Sequence, residues 1–134
     1  MLIHFKQGLC TFFSVLILDY IWLVYIADDF FKREFGVLLR DKVLLFPAFL
    51  FYTLFALSLY YFVIKPNQNN SGKKWCFDAA LFGLITYATF DLTAYAVIRN
   101  FSINIVYADL FWGMTVSILS TLIVRLTFKK SITK

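Results

Sequence analysis

The stretch FDAALFGLITYATFDLTAYAVI, residues 77–98, decides the fold. Apart from Asp78 at its start and Asp91 well inside, it carries no charge. At a rise of 1.5 Å per residue, about 20 such residues cross a bilayer as a helix. Inside hydrocarbon no water satisfies the peptide groups, so only a helix or a closed barrel is viable. The period-two alternation of a barrel strand is absent. Just downstream, 99–104 is a short polar link and 105–128 is again apolar, which predicts a tight helical hairpin. Upstream, Lys65 to Trp75 holds the turn formers Pro66, Asn67, Asn69, Asn70, Ser71 and Gly72. Before it lie two further apolar runs, 43–64 and 9–26, separated by the mixed-charge segment 28–42.

The expected architecture is therefore all-α: one domain over 1–134, a polytopic four-helix transmembrane bundle with spans at about 9–26, 43–64, 77–98 and 105–128. Composition agrees. The 134 residues are 61% hydrophobic and 16% charged, and mean hydropathy is +0.76. That apolar excess cannot be housed in the core of one small soluble domain. The first span has one basic residue ahead of it, Lys6, an acid inside it and no small-residue cleavage pattern before Asp28. It reads as a retained helix rather than a signal peptide.

The net charge of +5 comes from residues at the ends of apolar runs, where they anchor helices, so no nucleic-acid partner is expected. Lys6, Lys65, Lys73, Lys74, Arg125, Lys129, Lys130 and Lys134 lie on one side, against Lys32, Arg33, Arg40, Lys42 and Arg99 on the other. The bias places both termini in the cytoplasm. Cys10 and Cys76 then fall near the cytoplasmic face, where no disulfide is expected. With His4 the lone histidine and no Cys-x-x-Cys pair, neither metal nor cofactor is expected.

Three acids fall within spans: Asp19, Asp91 and Asp109. Each is costly against lipid, by about 2.5–3.5 kcal/mol at a helix centre. All three are expected in the outer half of the bilayer, where one shared polar pocket would account for them. On the third span Gly83, Tyr87, Asp91, Tyr95 and Arg99 recur every four residues, a spacing that drifts by roughly 40° per step. Tyr87 and Tyr95 could donate near Asp91, and Arg99 could supply a counter-charge. Asp19 with Trp22 and Asp109 with Trp112 repeat one acid–indole spacing. Gly113 and Ser117, with Gly83, are of the size that lets membrane helices approach closely. Tyr52, Tyr60 and Trp75 read as interfacial aromatics, the acids of 28–42 as a solvated face, and Asp78 as a partner of its helix N-terminus.

With these residues the chain resembles a family of small bacterial inner-membrane proteins, domain of unknown function 2177. The resemblance rests on 18–23 (LDYIWL), 50–52 (LFY), 83–93 (GLITYATFDLT), 99–101 (RNF) and 109–113 (DLFWG). It covers nearly the whole chain. Phe90 and Ala94 depart from the family pattern, which has Tyr and Asn there; Thr93 is retained. The resemblance implies four spans and multi-pass residence in the bacterial inner membrane, with the lipid bilayer as partner. It implies no reaction. An accessory or assembly role, with the polar cluster fixing helix packing, is the first functional reading. Proton-coupled transport of small or cationic solutes by a homodimer is the alternative. A further one is acid/base chemistry on a lipid-like substrate, for which no nucleophile, metal or phosphate-loop signature is present.

Overall fold

The computed structural model describes residues 1–129. Lys130 and Lys134, which entered the charge bias, lie outside them. Helix α1 covers Leu2–Ile21 and runs on as a π turn over Trp22–Ile26. Helix α3, Leu45–Leu59, likewise continues as a π turn over Tyr60–Ile64, and α4 and α5 span Lys74–Val97 and Ile103–Thr127. These are four helices long and apolar enough to cross a membrane. Their outer faces expose large apolar side chains along their length, among them Phe13, Ile17, Leu54, Ile85, Phe111 and Leu119. Pro47 sits in the first turn of α3, where its missing N–H has no helical partner to lose.

The first helix starts at Leu2 rather than near residue 9. Its polar opening is affordable because each group finds a donor or acceptor across the bundle. His4 Nδ1 lies 2.6 Å from the Tyr60 hydroxyl, which donates to Gln7 Oε1 at 3.1 Å, and Gln68 Nε2 donates to the same oxygen at 2.7 Å. Tyr60 is thus a buried link between helices, not an interfacial aromatic.

The segment 28–42 is also more ordered than a solvated connection. Asp28–Phe35 forms a short helix, α2, ended by Gly36 at φ +53°, a value that an L side chain rarely adopts. Its phenylalanines, Phe30, Phe31 and Phe35, pack on Ala94, Phe101, Ile105 and Val106 of the α4–α5 hairpin. Glu34 accepts hydrogen bonds from the Ser102 hydroxyl and, at 3.4 Å, from Asn104 Nδ2. The hairpin itself turns through Asn100 at φ +63°, and Ser102 caps α5 by accepting the Asn104 N–H at 3.2 Å.

The helices α4 and α5 share the most extensive contact, and α1 packs on both α3 and α5. Around the bundle the order is therefore α3, α1, α5, α4. The π turn of α3 closes this ring against α4 and α5 at the end where α1 begins. Towards the α2 end, α3 and α4 separate, and Phe55 bridges them, its ring 5.5 Å from Phe82 and 6.0 Å from Tyr87.

Candidate functional site

The gap between α3 and α4 is a cleft of about 280 Å³ lined by Phe51, Thr86, Tyr87, Phe90, Asp91 and Asp109. Phe51 and Phe90 at its mouth are 45% and 59% exposed on the apolar outer surface. It therefore opens sideways, towards the lipid.

Close approach of α4 and α5 builds its inner wall. A Cβ on Gly83 would overlap the backbone carbonyl of Gly113. One on Gly113 would come within 2.5 Å of Tyr87 Cδ2 and 2.7 Å of the Gly83 carbonyl oxygen. Glycine at both positions lets the backbones meet and lets the Tyr87 ring lie flat against α5. Ser117, fully buried, sits one turn below.

The three intramembrane acids separate into a pair and a single. Asp91 and Asp109 face each other across the α4–α5 contact, near enough for one carboxyl to hydrogen-bond the other. Such a bond exists only when one of the two holds a proton. Asp91 is 1% exposed, and apart from the Asp109 carboxyl its Oδ1 has no hydrogen-bond partner among the described residues.

Asp19 is saturated instead. It accepts the Tyr52 hydroxyl from α3 and, at 2.7 Å, the Trp112 indole N–H from α5. It joins three helices at one point. Trp22 stacks on Trp112, with centroids 4.7 Å apart and planes 5° from parallel, while its own buried Nε1 has no partner among the described residues. Tyr87 lies within electrostatic reach of all three acids.

Of the residues expected at a pocket, the structure brings together Asp19, Trp22, Tyr87, Asp91, Asp109 and Trp112, with Gly83, Gly113 and Ser117 behind them. Thr93, Tyr95 and Arg99 turn away. The Thr93 hydroxyl bonds back to its own helix, at 2.5 Å to the Thr89 carbonyl and 2.9 Å to that of Phe90. Tyr95 is 48% exposed, and Arg99 lies exposed beyond the end of α4, so it offers the acids no counter-charge. A step of four residues over-rotates a straight helix by roughly 40°, so the stripe leaves the inner face after Asp91.

Other residues do more than their positions suggested. Tyr52 is a ligand of Asp19 rather than an interfacial aromatic, and Phe51 beside it lines the cleft. Trp75 lies under the Arg125 guanidinium, 5.1 Å away. Asp78 does not cap α4; it pairs with Lys74 at 2.5 Å and accepts from Asn67 at 2.9 Å. Thr86 and Phe90 were visible only as parts of the 83–93 motif.

Among the described residues, no cluster of His, Cys, Asp or Glu is arranged to hold a metal ion. What the cleft offers is a pair of facing carboxyls and aromatic walls. Its volume is at the lower edge of ligand-sized cavities, about 300–1,000 Å³.

A family model described as "Predicted membrane protein (DUF2177)" matches residues 4–126. No curated protein and no solved structure matches the chain.

Proposed function

Since the chain belongs to that family of predicted membrane proteins, we propose that it is a proton-coupled carrier of cationic amphipathic solutes, which enter the α3–α4 cleft from the bilayer. The observation that carries this reading is the facing Asp91–Asp109 pair, whose Asp91 Oδ1 meets no donor from outside the pair among the described residues. A carboxyl retained only for helix packing is expected to be saturated by donors, as Asp19 is. A pair that shares one proton can release it when an ammonium or similar cation arrives, and rebind it when the cation leaves. Tyr87 and the aromatic rim offer π faces to the same cation. The assembly role fits Asp19, whose bonds join α1, α3 and α5.

One copy has too few spans to enclose a pathway easily, so the working unit in this reading is a homodimer. Dodecyltrimethylammonium serves as a probe. Its binding to purified protein should acidify a weakly buffered solution, and a proton gradient across proteoliposomes should drive its movement. Asp91→Asn and Asp109→Asn should each abolish both effects while the helices persist. Binding with no proton released, or no movement under any gradient, refutes the reading.

A further inference from the structure

A second cavity lies at the opposite end of the bundle from the carboxyl cleft. It has a volume of about 440 Å³, and its walls include Asn69, Ser71, Arg125 and Lys129, with Leu122 and Leu126 on the α5 side. We infer that this cavity is a binding site for a phosphate-bearing anion, with the headgroup of an anionic phospholipid as its occupant.

The Arg125 guanidinium is fixed in advance. It donates to the carbonyl oxygens of Asn67 at 2.5 Å and Asn70 at 2.7 Å, and it rests on the Trp75 ring. These contacts occupy only some of its N–H donors, and a planar guanidinium held in place loses little freedom when it binds phosphate oxygens. Ser71 and Asn69 add neutral donors on the 65–73 turn.

Among the described residues no carboxylate lines the cavity. At this end the described residues supply Lys6, Lys65, Lys73, Lys74, Arg125 and Lys129, against Asp78, which Lys74 and Asn67 already engage. The local field is therefore positive, which favours an anion wherever its source. The apolar wall favours the lipid. Leu126 is 63% exposed on the outer face of α5, so an acyl chain leaving the cavity passes directly onto membrane-facing surface.

The test uses the full chain in a mild, uncharged detergent, with melting temperature and intact-complex mass spectrometry as readouts. Dioleoylphosphatidylglycerol should raise the melting temperature and persist as a bound adduct, while dioleoylphosphatidylcholine should do neither. Arg125 also ties down the 65–73 turn, so Lys129→Gln and Ser71→Ala carry the test. Lys129→Gln should weaken phosphatidylglycerol binding about five-fold, as removal of one basic contact to an anionic lipid does. Inorganic phosphate that stabilises as well as the lipid, with the same loss in Lys129→Gln, supports the anion site and makes a soluble phosphate its source. Failure of both probes to shift the melting point, or unchanged lipid binding in both variants, overturns the inference.

Discussion

Asp19 accepts from Tyr52 and Trp112, whereas the Oδ1 of Asp91 meets no donor outside its pair with Asp109 among the described residues. Removing each acid should therefore have a different consequence. Asp19→Ala strands a buried indole N–H and a half-buried phenol, at about 1–3 kcal/mol for each unsatisfied group. Its melting temperature in detergent should fall clearly. Asp91→Asn keeps the shape and brings an amide that can donate to Asp109, so it should unfold at or above the wild-type temperature while losing proton exchange. Comparable destabilisation by the two substitutions would show that Asp91, too, serves packing. That the acids lie inside the bundle follows from their cost against lipid, and it was legible in the sequence. Which of them is saturated was not. The difference depends on Tyr52 and Trp112, two aromatics in a chain that is 21% aromatic, and nothing local marks Tyr52 as a donor reaching across to α1.

At the scale of helices, two contacts decide how the elements meet. Gly83→Ala and Gly113→Ala should each cost about 1–3 kcal/mol, because the added methyl meets backbone or the Tyr87 ring rather than a side chain free to swing aside. Thermal unfolding in detergent measures this, and Gly113→Ala should in addition displace Tyr87 from the cleft wall. The docking of α2 has a pH signature. The Ser102 hydroxyl, with help from Asn104 and Arg33, holds the Glu34 carboxyl below the ordinary carboxylate range. Its ionised form therefore favours the docked helix. That contribution is complete above about pH 4.5, the ordinary value, and is lost as pH falls through the lower, folded-state value. Amide protection factors in 28–35, corrected for the intrinsic exchange rate, should fall over that acid window, and Glu34→Gln should remove that fall. The four long apolar runs announced their helices because hydrocarbon leaves the backbone no other choice. Helix α2 was hidden because 28–42 alternates charges with aromatics, and only the hairpin surface under Phe30, Phe31 and Phe35 shows why it folds.

For the whole molecule, the ring of helices is closed where α1 begins and parted between α3 and α4 towards α2. The charge bias leads us to propose that the closed end faces the cytoplasm. A cysteine at Ser102 should then react with a membrane-impermeant maleimide added outside spheroplasts, and labelling only after lysis would invert the arrangement. The homodimer required by the carrier reading should survive as a crosslinked pair in native membranes.

In the proposed carrier reading, because Phe51 and Phe90 frame a doorway that faces oil rather than water, a solute is sorted before any carboxyl touches it. Its octanol–water partition coefficient sets how much of it stands at the threshold, and apparent affinity measured against bulk concentration will climb with tail length even when the head is unchanged. Compound libraries chosen for aqueous solubility are thus biased against the very molecules this opening admits.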